Sequence, residues 1–110
     1  MIISGGVNIY PAEIEAALEL HLDIYEVAVF GIPSDEWGES VHAVVIPRPG
    51  SALDASRDEG IVVDHARQHL AGFKVPRSVS WTCELPKTGS GKVLKRELRA
   101  QYWDVGARMA

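Results

Sequence analysis

Cysteine is nearly absent from the sequence, and long apolar runs are missing altogether. Cys83 is the only cysteine, so no disulfide can form within the chain, and we expect a reducing compartment, namely the cytoplasm. No apolar stretch approaches the roughly 20 residues that span a bilayer, and no basic-then-apolar secretion signal is found. We therefore expect neither secretion nor a transmembrane segment, which leaves peripheral contact with a membrane open.

Metal ligands and net positive charge are also scarce. His65 and His69 lie four residues apart on a predicted helix and could supply half of a metal site, but no third ligand accompanies them. The formal net charge of −4 at pH 7 argues against binding to nucleic acid, which favours a basic surface. The sequence thus predicts no metal site and no nucleic-acid partner.

Charge is unevenly distributed along the chain. Residues 1–64 contain 12 acidic and 2 basic side chains, a net charge of −10, whereas residues 65–110 contain 3 acidic and 9 basic ones, a net charge of +6. The basic half predicts either a cationic surface that attracts a compact phosphorylated anion or a dipole that is solvated at both ends. The basic residues concerned are Lys74, Arg77, Lys87, Lys92, Lys95, Arg96 and Arg99.

The pattern of apolar residues predicts one α+β domain over residues 1–110. The chain begins with an apolar hairpin that turns at Gly5 and Gly6. The predicted strands are residues 26–33, 41–46 and 78–85, and the predicted helices are residues 11–20, 58–70 and 93 onward, with loops at residues 34–39 and 51–57. The simplest assembly is a small, mostly antiparallel three-stranded sheet with packed helices, plus the N-terminal two-stranded hairpin to one side.

The stretch Pro86-Lys87-Thr88-Gly89-Ser90-Gly91-Lys92 is a run of turn-forming residues that ends in a lysine. A short amphipathic helix is predicted to begin at Val93. A long cationic side chain between a glycine loop and a helix is suited to reach an anion outside its own domain, although an inert surface lysine is the commoner case. A phosphate-binding P-loop is excluded, because that motif needs glycine where Pro86 stands and serine or threonine where Val93 stands. No Ser/His/Asp set can be assembled either, so the residues alone predict no self-contained catalytic centre.

Three stretches, in this order, resemble one family. They are Ile3-Ser4-Gly5-Gly6-Val7-Asn8-Ile9-Tyr10-Pro11-Ala12-Glu13-Ile14-Glu15, Gly72-Phe73-Lys74-Val75-Pro76 and Leu85-Pro86-Lys87-Thr88-Gly89-Ser90-Gly91-Lys92-Val93-Leu94-Lys95-Arg96. Together they resemble the C-terminal domain of the adenylate-forming enzymes, which include acyl-CoA synthetases, nonribosomal peptide adenylation domains and luciferases. The segment Asp35-Glu36-Trp37-Gly38-Glu39 is one residue shorter than the family pattern, and it resembles the acyl-CoA synthetase branch, as does the aromatic-Lys-x-Pro segment from Phe73 to Pro76.

The resemblance implies a ligase that works in two steps. A fatty acid or other hydrophobic acid reacts with ATP, accompanied by Mg²⁺, to give an acyl-adenylate and pyrophosphate, and the thiol of coenzyme A then displaces AMP. The domain rotates between the steps. In one pose the lysine that matches Lys92 reaches the carboxylate and the α-phosphate, and in the other the glycine turn that matches Gly5 and Gly6 lines the pantetheine tunnel.

The resemblance also implies supporting residues for both poses. Lys87, Thr88, Gly89 and Gly91 would surround the nucleotide together with Lys92. The residues that would face coenzyme A with the Gly5-Gly6 turn are Val7, Trp37 and Lys74, and Arg77 is a further candidate for its phosphates.

A large N-terminal domain holds most of the ATP site and the acyl pocket in this family, and the family's hinge residue would lie immediately before Met1. We therefore expect the chain to be part of a longer enzyme, to act with its own N-terminal domain and to be inactive alone. Two alternatives stay open. One is a free-standing binding module that kept the fold without catalysis, and the other is the C-terminal part of a nonribosomal peptide adenylation domain.

Overall fold

The computed structural model describes residues 2–36, 38–50 and 59–101, which fold around one sheet. The strands are β1 (Ile2–Ser4), β2 (Val7–Ile9), β3 (Ile24–Ser34), β4 (Gly38–Pro47) and β5 (Ser78–Trp81). The helices are α1 (Pro11–Glu19), α2 (Glu59–His69) and the described part of α3 (residues 95–101), with a short 3-10 turn at Gly72–Lys74. The α+β class and the N-terminal hairpin are confirmed.

Strand β4 organises the sheet because it pairs with three other strands. Along one edge it pairs antiparallel with β3 over its whole length. Along the other edge it meets β1 through a single pair, Ser4 opposite Gly38, and then β5, which runs parallel to it from His42 to Val45. The hairpin β1–β2 therefore continues the sheet rather than lying to one side, and the strand order is β2-β1-β4-β3.

Both faces of the sheet are buried, which explains why β3 and β4 are apolar at successive positions. Alternate residues of β3 point to opposite faces, so that Val27 belongs to one apolar cluster and Ala28 to the other. The first cluster joins the hairpin, α1 and α2 to the sheet and includes Ile2, Ile9, Ile14, Leu18, Val29, Val45, Val62 and Ala66. The second covers the opposite face and consists of Ala28, Phe30, Val44, Ile46, Leu85 and Leu98. Burial of each large side chain stabilises the fold by about 1.5–3 kcal/mol.

Helix α1 begins at Pro11, as predicted, although no side chain caps it. Tyr10 has an extended backbone and makes no capping hydrogen bond. Proline at the first helical position and the carboxylate of Glu13 in the first turn favour the start instead. Ile14 and Leu18, one turn apart, are fully buried and hold the helix against the sheet.

The predicted strand over residues 78–85 is wrong in its second half, because β5 ends at Trp81. The hydroxyl of Thr82 donates to the carbonyl of Glu84 at 3.0 Å, which turns the chain. Cys83 is exposed, and Leu85 is buried in the second cluster, whereas Trp81 packs against the first. The chain thus passes from one face of the sheet to the other within four residues, which a continuous strand does not do.

The helix predicted from Val93 begins two residues later. Val93 forms an antiparallel bridge with Lys87, and the backbone N–H of Leu94 donates to the carbonyl of Pro86 at 2.8 Å. Both residues therefore close the preceding loop, and α3 begins at residue 95. The predicted apolar contact of Leu98 is present, since this side chain is buried in the second cluster.

Other boundaries move by a few residues. Strands β3 and β4 are longer than predicted, so the predicted polar loop at residues 34–39 loses Ser34 to β3 and Gly38 and Glu39 to β4. The predicted loop at residues 51–57, the first predicted residue of the second helix (Asp58) and the chain end at 106–110 lie outside the described residues.

Candidate active-site faces

The loop that carries Lys92 is a closed turn rather than a flexible one. The backbone N–H of Thr88 donates to the carbonyl of Lys92 at 2.8 Å, and the N–H of Gly91 donates to the carbonyl of Thr88 at 2.9 Å. The Thr88 hydroxyl accepts from the Lys92 N–H at 3.1 Å and lies 2.9 Å from the Ser90 hydroxyl. Gly91 has φ +88°, in the left-handed region that glycine favours, whereas Gly89 does not have a positive φ. These contacts fix the direction in which the backbone presents Lys92.

The side chain of Lys92 lies on the exposed outer edge of β3. It lines an open cavity of about 440 Å³ together with Glu15, Glu19 and Glu26. Desolvation is the main cause that raises the pKa of Glu19, and repulsion from Glu15 and Glu26 raises it further. Three carboxylates therefore line the same cavity as Lys92, and two of them, Glu15 and Glu26, pair with other lysines.

Four basic side chains of the C-terminal half contact carboxylates of the acidic half of the chain. The ion pairs are Lys74–Glu13, Lys87–Glu26, Lys95–Glu15 and Arg99–Glu39, with N···O distances of 2.7–3.0 Å. The hydrogen bond from Lys87 to Glu26 raises the pKa of this lysine. The opposite charges of the two halves thus meet in ion pairs, and these four side chains do not form a bare cationic surface. For Lys92 and Arg96, no carboxylate partner is found within the described residues.

The second candidate face is the turn between β1 and β2. Gly5 and Gly6 have φ of 58° and 81°, so both occupy the left-handed region that a tight two-residue hairpin turn requires. A Cβ atom added to Gly6 would have no heavy atom within 4 Å, which leaves open space outside its backbone. Val7, the next residue, is 42% exposed. The turn therefore presents bare backbone and one apolar side chain to whatever lies beyond it.

The hairpin and the Lys92 loop lie at opposite ends of the sheet. Strand β2 is at one end of the strand order and β3 at the other, and Lys87 and Lys92 are both found next to Glu26 of β3. The structure therefore does not bring Lys92 and the Gly5-Gly6 turn together into one pocket.

Lys74 lies in neither the Lys92 loop nor the hairpin, and its side chain reaches the first turn of α1. Its ammonium donates to both carboxylate oxygens of Glu13, each at 2.9 Å. Arg77 is exposed, and its backbone N–H donates to the carbonyl of Val41 at 2.9 Å, which continues the pairing of β5 with β4. Trp37, the remaining candidate for this face, lies outside the described residues.

Two residues that the sequence reasoning did not single out have defined roles in the structure. His42 is buried and lies between two serine hydroxyls, with Nδ1 2.6 Å from Ser78 Oγ and Nε2 2.8 Å from Ser80 Oγ. Burial lowers the pKa of His42 to about 4, so the ring is neutral near pH 7 and fixes β5 against β4. Its signal in the sequence is a polar residue within an apolar strand. Glu39 is the other residue, and its carboxylate contacts both β1 and α3.

The described part of the chain offers no gathered set of metal ligands. No group of three or more His, Cys, Asp or Glu side chains that could hold a metal ion is found there. Among the described helices, none is both long and apolar enough to cross a membrane.

Comparison with known proteins identifies the fold's family. A family model described as the AMP-binding enzyme C-terminal domain matches residues 13–92. The chain belongs to this family. The AMP-binding C-terminal domain found here is 50% identical over 102 residues to feruloyl-CoA synthase of Amycolatopsis sp., covering 93% of this chain and 20% of that protein. It is 42% identical over 106 residues to the long-chain-fatty-acid–CoA ligase of Yersinia pestis, covering 96% of this chain and 18% of that protein.

Among solved structures, the AMP-binding C-terminal domain is similar to part of the Mycobacterium tuberculosis fatty acyl CoA synthetase. The TM-score is 0.84 at 38% sequence identity, and the match covers 96% of this chain and 20% of that one. The resemblance to the C-terminal domain of acyl-CoA synthetases, first seen in three sequence stretches, is thus confirmed. The chain spans about a fifth of the length of the relatives that it matches.

Proposed function

We propose that the chain is the mobile C-terminal domain of an ATP-dependent acyl-CoA synthetase. The complete enzyme converts a carboxylic acid, ATP and coenzyme A into acyl-CoA, AMP and pyrophosphate through an acyl-adenylate. The observation that carries this proposal is Lys92, which a closed turn presents at the surface with no carboxylate partner among the described residues. A lysine held in this way, in a chain of this family, is suited to an anion supplied by another domain.

In the adenylation step, the ammonium of Lys92 stabilises the charge that develops on the carboxylate and the α-phosphate. Positioned charges of this kind contribute a factor of roughly 10²–10³ to a reaction rate. Thr88 and Gly91 hold the turn that aims Lys92, and Gly89 leaves room for the nucleotide next to it. Lys87 supports the same turn from its ion pair with Glu26.

In the thioester-forming step, the opposite end of the sheet turns towards the acyl-adenylate. The bare backbone of Gly5 and Gly6 allows the pantetheine arm to pass closely, and Val7 adds an apolar wall to this tunnel. Trp37 and Lys74 complete the face towards coenzyme A. Lys74 has to exchange Glu13 for a phosphate, because the two are joined in the structure.

The acid is proposed to be a fatty acid or another hydrophobic carboxylic acid. The relatives named for feruloyl-CoA and for long-chain fatty acids both fit this class, and the acyl pocket belongs to the N-terminal domain that we propose as the partner of this chain. ATP arrives with Mg²⁺ and is bound mainly by that partner domain. We propose a cytoplasmic location, where all three substrates are found.

The decisive experiment separates the two steps in the complete synthetase that we propose contains this chain. Lys92→Ala should reduce ATP–pyrophosphate exchange by about 10²–10³-fold while largely sparing thioester formation from a supplied acyl-adenylate. Arg96→Ala is the matched control, since Arg96 is another exposed cation of the same segment without a carboxylate partner among the described residues. Equal losses in both steps for Lys92→Ala would contradict the assignment of separate faces.

A second measurement tests the dependence on the partner domain. The chain alone should give no ATP–pyrophosphate exchange above background, because we propose that most of the ATP site and the acyl pocket belong to the N-terminal partner domain. Exchange by the isolated chain would show that it holds a nucleotide site of its own, and would overturn the proposal.

A further inference from the structure

Glu39 links the two elements that lead to the candidate functional loops. We propose that Glu39 is a positioning residue that holds the hairpin bearing Gly5 and Gly6 in a fixed orientation relative to α3, the helix that follows the Lys92 loop. The two faces then turn as one rigid body between the two steps. This inference rests on the function proposed above for the two loops.

The contacts of Glu39 show the linkage directly. Its Oε2 accepts a hydrogen bond from the backbone N–H of Ile3 in β1 at 2.9 Å. Its Oε1 accepts from Nη2 of Arg99 in α3 at 3.0 Å. The Glu39 side chain is only 15% exposed, whereas that of Arg99 is 49% exposed. One carboxylate therefore connects three elements: β1, β4 and α3.

Strand β3 leaves room for the Glu39 carboxylate at Gly31. Gly31 of β3 lies under it, and a Cβ atom added at Gly31 would lie 2.5 Å from Oε1 of Glu39 and 3.2 Å from Cγ2 of Ile2. Any side chain at this position would displace either the carboxylate or the hairpin. The absence of a side chain at Gly31 is therefore a requirement of the linkage rather than of the backbone conformation, because Gly31 does not have a positive φ.

The hairpin needs such a contact because its other polar connection to the sheet is short. Among the described residues, it pairs with β4 through the single pair Ser4 and Gly38, and an isolated two-stranded hairpin is marginally stable in water. Ile2 and Ile9 are buried and anchor the hairpin through apolar packing, which is not directional. Apolar burial thus keeps the hairpin attached, and the hydrogen bond from Ile3 to Glu39 sets its angle.

Helix α3 is fixed at its other end by a separate contact. Lys95, in its first turn, pairs with Glu15 at 2.7 Å, and Oε2 of Glu15 also accepts from the backbone N–H of Val29 on β3 at 3.0 Å. Arg99 lies one turn further along and reaches Glu39. Helix α3 is therefore held at Lys95 to the edge of β3 near Lys92, and at Arg99, through Glu39, to the hairpin. It thus connects the two faces.

The test measures coupling between Arg99 and Ile3, each of which contacts Glu39. Arg99→Gln removes the ion pair but leaves the Ile3–Glu39 hydrogen bond possible, so a change at Ile3 in this variant reports a linkage between α3 and the hairpin. We expect the amide proton of Ile3 to exchange with solvent about two- to fivefold faster in Arg99→Gln, the size that loss of a partly exposed ion pair produces. Arg99→Lys, which keeps the charge, should restore at least half of the protection. Glu36→Gln is the matched control, since Glu36 is an exposed carboxylate that precedes β4.

The same variants are then assayed in the complete synthetase. Glu39→Ala should raise KM for coenzyme A about fivefold or more and lower thioester formation from supplied acyl-adenylate, because a hairpin that has lost its angle lines the tunnel poorly. Adenylation should fall less, since Lys95 still holds the start of α3. A purely structural role would instead lower both steps in proportion to the folded fraction measured by circular dichroism at the assay temperature.

Each outcome decides between the two proposals. If Ile3 exchange is unchanged in Arg99→Gln, the linkage is wrong whatever the enzyme does. If Ile3 exchange rises but neither half-reaction responds to Glu39→Ala, the linkage exists and has no positioning role. If the wild-type enzyme lacks both half-reactions, the proposed function fails, and the positioning role fails with it.

Discussion

Thr88 and Lys92 contact each other twice across the glycine turn. The Thr88 N–H donates to the Lys92 carbonyl at 2.8 Å, and the Lys92 N–H donates to the Thr88 hydroxyl at 3.1 Å. One residue, Thr88, therefore binds both polar groups of the Lys92 backbone, the N–H and the carbonyl. A hydrogen bond of this kind contributes about 0.5–1.5 kcal/mol, so the side-chain contact is large enough to influence a catalytic rate.

Thr88→Val should lower ATP–pyrophosphate exchange by up to about tenfold, because valine keeps the shape but cannot accept the Lys92 N–H. Thioester formation from supplied acyl-adenylate should not change. Thr88→Ser keeps the hydroxyl and serves as the control. A Thr88→Val enzyme with wild-type exchange would show that the turn is rigid enough without this bond.

A comparison of Gly91 with Gly89 separates the effect of backbone strain from the effect of steric crowding. A Cβ atom at either position would meet nothing within 4 Å, but Gly91 alone of the two has a positive φ, +88°. Gly91→Ala should therefore lower the free energy of unfolding by about 1–2 kcal/mol, and Gly89→Ala should leave it unchanged or raise it slightly. Urea unfolding of the two variants measures the difference. Equal values would mean that Gly91 is not held in the left-handed region.

In the pose that we propose for thioester formation, Lys74 leaves Glu13 to contact a phosphate of coenzyme A. Glu13→Gln should therefore lower KM for coenzyme A a few-fold, whereas Lys74→Met should raise it. The cost of Glu13→Gln to stability should be small, about 0.2–1 kcal/mol, because the pair is partly exposed. Steady-state kinetics with varied coenzyme A distinguishes the two variants, and a rise in KM for both would show that the ion pair itself, rather than a released lysine, supports binding.

His42 makes stability depend on pH in a defined window. The pKa of His42 is lowered from 6.5 to about 4 by burial, so between these values the unfolded chain binds a proton that the folded chain does not. The free energy of unfolding should therefore be fully retained above about pH 6.5 and should fall, by up to about 3 kcal/mol, as the pH drops towards 4. Urea unfolding between pH 4 and 7.5 measures this slope. His42→Gln should flatten it, and His69→Gln, at an exposed position, should not.

The strands were the most predictable part of the fold because both faces of the sheet are covered. An apolar run such as residues 26–33 has few alternatives to a buried strand, and β3 contains it entirely. The alternation of polar and apolar residues predicted a continuous strand at residues 78–85, which was wrong. The spacing of Trp81, Cys83 and Leu85 does not reveal that the chain changes faces after Trp81. The start of α3 was misplaced for a similar reason, because the bridge between Val93 and Lys87 is a contact that helical periodicity does not encode.

The candidate site was predictable where it depends on local chemistry. The turn residues around Lys92 and the Gly5-Gly6 hairpin follow from glycine placement, and the structure forms both turns. The pairing of Lys74, Lys87, Lys95 and Arg99 with carboxylates was not predictable, because charge counts do not say which residues meet. Glu39 was seen only as part of a motif, and its contacts to Ile3 and Arg99 join segments that are far apart in the chain.

The ion pairs between the two halves have a consequence for how the chain folds. The partners in three of them are 60 or 61 residues apart, so the acidic half is synthesised well before the basic segment that neutralises it. Until then its carboxylates repel one another, and β4 lacks its parallel neighbour β5. Attraction between the halves should steer the late docking of β5 and the Lys92 loop. Refolding should therefore slow as ionic strength rises, since salt screens the approach of distant charges over roughly 10 Å at 0.1 M.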